Sequence, residues 1–189
     1  MTQEEIVSIF KQTHALLEGH FQLTSGLHSA QYFQCAKVLQ YPKYAEALCK
    51  EIASKFQNQK IDVVIAPALG GIVVGQEVGR QLNVRTMFTE RKDNTMQLRR
   101  GFEVGENENV LVCEDVITTG GSVQEVVDIV KNDGGTVVGV GAIVDRSGGK
   151  AKFDNFFVTM TMDVQTYRPN ECPLCKQGIP IEKPGSRVK

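Results

Sequence analysis

The 189-residue sequence has no tryptophan, only three histidines and six prolines, and its 22 acidic side chains nearly cancel its 21 basic ones. The formal net charge of −1 removes the broad positive field that draws a protein to nucleic acid. No apolar run approaches the roughly 20 residues that a membrane helix requires. The opening Met1-Thr2-Gln3-Glu4-Glu5 is acidic and polar, where a secretory peptide would begin basic and then turn apolar. The five cysteines, Cys35, Cys49, Cys113, Cys172 and Cys175, are odd in number and scattered, unlike a disulfide framework. The expectation is a reduced, cytoplasmic protein without nucleic-acid or membrane partners. His14, His20 and His28 lack metal-site spacing. Cys172-Pro173-Leu174-Cys175 offers two ligands, but no second cysteine or histidine pair supplies the rest of a four-ligand site. Both thiols are therefore expected to be ordinary ones in a tail turn.

Apolar residues make up 41% of the chain, enough for a well-buried core. The expected organisation is one domain over residues 1–189. Residues 1–40 would supply a helix and a small hood, and 169–189 an irregular tail rich in proline and glycine. Residues 2–18 carry a helical stripe of Ile6, Phe10 and Leu17, opened by a Thr2–Glu5 capping box. Residues 42–57 repeat the pattern with Tyr44, Leu48, Ile52 and Phe56. Apolar strands over 61–66, 84–88, 110–113, 136–144 and 156–162 then alternate with helices over 72–82 and 122–131. Strands apolar throughout and separated by helices predict an α/β fold: a mostly parallel central sheet covered by helices on both faces. Gly71, Gly75 and Gly79 fall every fourth residue and would let their helix lie close to a neighbouring backbone.

In such sheets ligands bind beyond the carboxyl ends of the strands, and three stretches at such ends carry unusual chemistry. The first is Val110-Leu111-Val112-Cys113-Glu114-Asp115-Val116-Ile117-Thr118-Thr119-Gly120-Gly121-Ser122. A buried strand runs into two carboxylates, then into a turn whose N–H groups and hydroxyls can surround a phosphate at a helix N-terminus. The carboxylates can accept hydrogen bonds from vicinal ribose hydroxyls. A plain capped helix, with Ser122 and Glu125 as the capping box, would need neither the acid pair nor the double threonine and double glycine. No Gly-Lys-Ser/Thr ends the loop, so it is not a Walker A loop, and no Gly-x-Gly-x-x-Gly follows a strand.

The second stretch is Pro67-Ala68-Leu69-Gly70-Gly71, a strand-to-helix turn that can expose N–H groups to an anion. The third is Val144-Asp145-Arg146, where a guanidinium fork suits a flat base that carries a carboxylate. Between strands, Arg91, Lys92, Arg99 and Arg100 crowd one segment in which Asp93-Asn94 could turn a hairpin. A solvated hairpin is the plain reading, and a mobile lid whose cations cover a polyphosphate leaving group is the preferred one, because such a group needs cations to offset its charge.

The run 110–122 resembles the motif by which type I phosphoribosyltransferases bind phosphoribosyl pyrophosphate (PRPP). The resemblance implies that Glu114 and Asp115 hold the ribose hydroxyls, and that the loop from Val116 and Ile117 through Thr118, Thr119, Gly120, Gly121 and Ser122 holds the 5′-phosphate. Ala68, Leu69 and Gly70 look like the pyrophosphate loop, which in this family often has a strained or cis peptide. Phe21-Gln22-Leu23-Thr24-Ser25-Gly26-Leu27-His28-Ser29-Ala30-Gln31-Tyr32-Phe33 is similar to the hood of the orotate branch. Orotate contacts are thereby expected at Thr118, Arg146, Ser25, Tyr32 and Phe33. Arg91 and Lys92 match the start of that branch's catalytic loop, while Thr95 and Gln97 stand where a second lysine and a histidine are frequent. Lys92 is then the first catalytic candidate, with Asp115, Arg99 and Arg100 beside it.

The implied reaction transfers the phosphoribosyl group of PRPP to orotate, giving orotidine 5′-monophosphate and pyrophosphate in pyrimidine (UMP) biosynthesis. The implied cofactor is Mg²⁺ carried by PRPP; no side chain is expected to bind it directly, Asp115 reaching it at most through water. The implied assembly is a homodimer whose loop 91–101 reaches the neighbouring site. Alternatives are a phosphoribosyltransferase for another base and a PRPP-binding regulator; no helix-turn-helix precedes the domain to support the second.

Overall fold

The computed structural model describes residues 1–23 and 25–184; Thr24 and residues 185–189 lie outside the described residues. Helix α1 (Gln3–Gln12) starts with the capping box read from the sequence, Thr2 and Glu5 bonding each other's backbone N–H groups. It is shorter than the stripe suggested. Thr13 ends it, His14 takes a left-handed φ of 53°, and the chain turns into strand β1 (Leu16–Gln22). Leu17 therefore belongs to a strand and not to the helix stripe.

Strand β1 pairs antiparallel with β2 (His28–Phe33). After a short helix α2 (Ala36–Leu39), α3 (Pro42–Phe56) buries Leu48, Ile52 and Phe56 as their spacing required. The alternating region follows: β3 (Val63–Pro67), α4 (Gly70–Leu82), β4 (Arg85–Lys92), β5 (Thr95–Leu98), β6 (Asn109–Ile117), α5 (Gly121–Asn132), β7 (Thr136–Asp145) and β8 (Phe156–Thr161). Its six-stranded sheet has the order β5-β4-β3-β6-β7-β8. All neighbours are parallel except the β4–β5 hairpin. Asp93 and Asn94 turn that hairpin with φ of 52° and 63°, the left-handed pair that a tight two-residue turn needs.

The parallel strands are buried on both faces, and alternation sorts their side chains. Val64, Ala66, Leu111, Cys113 and Ile143 pack towards α3 and α4. Val63, Ile65, Val110, Val112 and Ala142 pack towards Val123, Val126 and Val130 of α5. The glycine row on α4 does what its spacing implied. A Cβ on Gly75 would sit 2.9 Å from Ala66 Cβ, and one on Gly79 would overlap Thr86. The helix thus packs directly against the Ala66 side chain of β3 and the Thr86 side chain of β4.

The connections decide where a ligand can go. From β3 the chain crosses by α4 to β4 on one side; from β6 it crosses by α5 to β7 on the other. Adjacent strands whose connections diverge leave a crevice at their carboxyl ends. That crevice lies between the loops that follow β3 and β6.

Residues 169–184 are more ordered than the composition of the tail suggested. Strand β9 (Thr166–Tyr167) adds to β2, and α6 (Pro173–Lys176) forms a single turn. Glu182 lies along β1, its N–H donating to His20 O and its carbonyl accepting from Gln22 N–H, both at 2.8 Å. No described helix is long and apolar enough to cross a membrane.

Candidate active site

Strand β6 carries the acid pair near its carboxyl end. Glu114 is buried, and its Oε1 accepts from the Asp115 backbone N–H at 3.0 Å. Burial, and then the neighbouring Asp115 charge, push the Glu114 carboxyl well above the usual carboxylate range. Asp115 is half-exposed, one of its oxygens accepting from Val116 N–H at 2.8 Å.

Helix α5 begins at Gly121 with Gly120 as its N-cap, in a left-handed conformation (φ 82°) and without a side-chain cap. The Ser122–Glu125 capping box is therefore not the device used here. Glu125 instead binds Arg91 at 2.7 Å. A Cβ on Gly120 would lie 3.1 Å from Phe153 and 3.2 Å from Ala151, so the turn needs glycine for both angle and space. The result is a concave pocket lined by Glu114 and residues 116–123, with Thr118, Thr119 and Gly121 exposed. N–H groups of a helix's first turn lack intrahelical acceptors and carry the positive end of its dipole. The pocket suits a dianionic phosphate.

The loop after β3 closes on the acid pair. A Cβ at Gly70 would overlap the Asp115 carboxylate, and one at Gly71 would come within 2.9 Å of Glu114 Oε1. The two glycines bring backbone and carboxylates into contact. The Ala68–Leu69 peptide is cis, at the place the resemblance indicated, and the Leu69 side chain stands 83% exposed. The structure thus unites the two loops that the sequence analysis singled out separately.

Strand β7 delivers Arg146 beside them, its backbone N–H donating to Ile117 O at 2.8 Å. The neighbouring Asp145 turns away and accepts from Ser147 N–H at 2.8 Å, so the two residues do not form a surface pair. Arg146 is half-buried, and its Nε has no hydrogen-bond partner. Desolvation lowers its pKa, with Tyr32 close enough to oppose that shift. An incompletely paired guanidinium at a strand end is suited to a planar anionic ligand.

The aromatic pair of the hood divides. Tyr32 stays half-buried, 5.8 Å from the Phe21 ring. Phe33 was expected at the base; the structure corrects this. Adjacent strand residues face opposite ways, and Phe33 turns into the core, 4.8 Å edge-on to Phe10. Ser25 lies exposed in the turn between β1 and β2, its hydroxyl accepting from Leu27 N–H at 3.4 Å.

The basic segment forms β4, the tight turn and β5. Arg91 is held by Glu125 and by Asn94 O. Arg99 and Arg100 both reach Glu90, at 3.5 and 3.1 Å, and Arg100 also lies over the Phe88 ring. Lys92 is exposed and has no ion pair among the described residues.

One group of residues escaped the sequence analysis. Cys172 and Cys175 are not isolated tail thiols, since His20 and His28 stand against them in the hood. The histidine pair that the sequence analysis did not find beside these thiols comes from two strands more than a hundred residues away. Their eight-residue separation matches no metal spacing, and only the β1–β2 register brings them together.

Residues 37–170 match the family model of the phosphoribosyl transferase domain. Over 189 residues the chain is 57% identical to the orotate phosphoribosyltransferase of Chlorobium phaeobacteroides, covering all of this chain and 98% of that one. It is 60% identical over 188 residues to that of Chlorobaculum parvum, covering 99% and 97%. Among solved structures, the orotate phosphoribosyltransferase from Aeropyrum pernix superposes with a TM-score of 0.69 at 22% identity, over 83% of this chain and 93% of that one. An adenine phosphoribosyltransferase from Thermoanaerobacter pseudethanolicus gives 0.62 at 16%, over 70% and 88%. Those two structural likenesses speak to the fold alone. Full-length identity to the curated relatives is what settles kinship, and by it the chain belongs to the orotate phosphoribosyltransferase family.

Proposed function

We propose that the chain transfers the phosphoribosyl group of PRPP to orotate, releasing pyrophosphate and forming orotidine 5′-monophosphate for pyrimidine biosynthesis. The observation that carries the choice of base is Arg146, a half-buried guanidinium with an unpartnered Nε beside the phosphate pocket. Orotate brings a carboxylate to such a group; adenine and hypoxanthine do not.

The 5′-phosphate would sit in the pocket of residues 118–122, and the ribose hydroxyls on Glu114 and Asp115. The pyrophosphate would lie along Ala68, Leu69 and Gly70. A ring nitrogen of orotate displaces pyrophosphate at C1 of the ribose, and positive charge grows on the sugar as the C–O bond stretches. Orotate's ring nitrogen is already acidic, so no strong base and no covalent nucleophile are required. Catalysis is then mostly positioning and electrostatics. Thr118, Tyr32 and Ser25 would frame the base with Arg146. Lys92, together with Arg99 and Arg100 once freed from Glu90, would offset the negative charge on the leaving group.

The residues present fit Mg²⁺ bound with PRPP. Asp115 offers a half-exposed carboxylate at the pocket rim, and Mg²⁺ keeps most of its ligands from water and phosphate. Such an ion would neutralise pyrophosphate charge. A homodimer in which loop 91–101 serves the neighbouring site would use the exposed Lys92. None of the five cysteines is in a disulfide, which agrees with a reducing, cytoplasmic setting.

The test is to mix purified protein with PRPP, Mg²⁺ and orotate and to follow loss of orotate absorbance, with uracil, adenine, hypoxanthine and xanthine in parallel. Turnover with orotate alone is expected. Turnover with a purine would retain the phosphate pocket and overturn the assignment of Arg146. PRPP binding without turnover on any base would favour a regulator.

A further inference from the structure

Away from the phosphate pocket, four side chains converge on one point. His20 comes from β1, His28 opens β2, and Cys172 and Cys175 bracket the start of α6. One ligand atom from each lies within 4.8 Å of all the others. His20 Nε2 is 3.0 Å from His28 Nδ1, 3.6 Å from Cys172 Sγ and 3.7 Å from Cys175 Sγ. Cys175 Sγ is 3.3 Å from His28 Nδ1. A tetrahedral zinc, with Zn–S near 2.3 Å and Zn–N near 2.0 Å, places its ligand atoms roughly 3.3 to 3.8 Å apart. These four contacts need adjustments of only a few tenths of an ångström to match, and the remaining two pairs lie within 4.8 Å.

The surroundings favour a cation over a set of hydrogen bonds. His20 Nδ1 meets the Ile179 carbonyl at 2.8 Å. A carbonyl only accepts, so Nδ1 carries the ring proton and the lone pair of Nε2 points at the other three groups. This is the outer bond by which proteins fix the tautomer of a metal-binding histidine. That lone pair can take one hydrogen bond, yet three polar atoms crowd it. His20 and His28 are 3% and 6% exposed and Cys172 is fully buried, so water reaches the cluster only at Cys175. Thiols are weak donors and weak acceptors, and leave the imidazole nitrogens poorly served. Two sulfurs and two imidazoles form a soft-to-borderline donor set that suits zinc and is poor for magnesium or calcium.

We propose that His20 Nε2, His28 Nδ1, Cys172 Sγ and Cys175 Sγ form a tetrahedral zinc site. On binding, both thiols give up their protons, the two histidines donate lone pairs, and two protons leave to solvent. Four protein ligands leave no open position, so the site is structural. It clips the tail to the hood at the end of β2 where β9 also pairs, on the strand that carries Tyr32 towards Arg146. Zinc would thus hold the hood in place without touching substrate.

The full-length protein, purified without chelator, is expected to hold about one zinc per chain by elemental analysis. Stripping the metal should lower the melting temperature by roughly 10 °C or more, and zinc should restore it. Cobalt in its place should give the intense visible bands of a tetrahedral ion and the near-ultraviolet charge transfer of thiolate ligands. Cys175→Ser, at the exposed member of the set, should lose most of the zinc and weaken the thiolate band. These readouts need no substrate, so they stand or fall separately from the assignment of orotate. Protein with reduced thiols that is isolated without zinc and takes up neither metal would overturn the site. So would a cobalt spectrum without thiolate bands, or Cys175→Ser retaining full zinc.

Discussion

The pocket at the start of α5 and the junction of β1, β2 and the tail both gather polar side chains into a small volume, but by opposite means. In the pocket, Glu114 to Ser122 are chain neighbours, delivered together by one strand, one turn and one helix N-terminus. In the junction, His20 and Cys172 stand 152 residues apart and meet only because β1, β2 and the tail are packed together. The pocket's geometry is local, so substitutions there should change chemistry with little effect on stability. The junction's geometry is tertiary, so disturbance there should appear first as lost stability.

The largest effect is expected at Arg146, on the pocket side. Replacing it by alanine should lower kcat/KM for orotate by roughly 10²–10³, as when one partner of a desolvated charge pair is removed. PRPP affinity and the melting temperature should change little. Steady-state kinetics with each substrate varied in turn, alongside a thermal melt, measures both. A loss divided evenly between orotate and PRPP would mean that Arg146 serves the pocket as a whole and not the base.

Gly70→Ala should come next. The added methyl would overlap the Asp115 carboxylate, so the loop or the acid must move. Overpacking of this kind costs about 1–3 kcal/mol, and here it falls where ribose and pyrophosphate would meet. A KM for PRPP raised roughly tenfold or more, with KM for orotate near its original value, is the expected result. Unchanged PRPP kinetics would show that the contact between the two loops is structural only.

Glu114→Gln tests the contrast through pH. Burial and Asp115 raise the folded-state pKa of Glu114 above its unfolded value. The folded protein therefore binds a proton more readily than the unfolded chain. The associated stability is full below the ordinary carboxylate pKa, roughly pH 4, and is lost as pH rises through the folded value. Glutamine removes that loss. The variant should melt at or above the wild-type temperature at neutral pH, with the advantage vanishing in acid, while PRPP binding weakens about tenfold. A variant less stable than wild type at neutral pH would mean that the carboxylate's contact with Asp115 N–H outweighs the cost of burying its charge.

These variants also mark what could be read without the structure. The parallel sheet was legible because Val63–Ala66, Val110–Cys113 and Val140–Val144 are apolar on both faces, a pattern that few other environments explain. The pocket was legible because its members are contiguous and their order follows the physics of a strand-to-helix turn. Contact between Gly70 and Asp115 was not legible, since it depends on β3 and β6 being neighbours with diverging connections. The end of α1 was missed because Leu17 continues a helical period by coincidence; a left-handed His14 breaks the helix where no glycine or proline warns of it. The histidine–cysteine cluster was missed for the strongest reason: its two halves have no sequence relation, and only folding defines their distance.

Tyr32 and Phe33 give the smallest effects and the finest version of the contrast, because they are adjacent in sequence and face opposite sides of β2. Phe33→Leu trims a core contact with Phe10 and should cost about 1–1.5 kcal/mol, or roughly 2–6 °C of melting temperature, with KM for orotate unchanged within error. Tyr32→Leu removes a half-buried ring near Arg146 and should do the reverse, raising KM for orotate severalfold with little loss of stability. The pair separates two readings of the hood. If both substitutions raise KM equally, the hood acts on the base as a rigid unit and any disturbance of its packing is felt there. If only Tyr32→Leu does, recognition resides on one face of a single strand, and the core face of that strand can be varied without touching specificity.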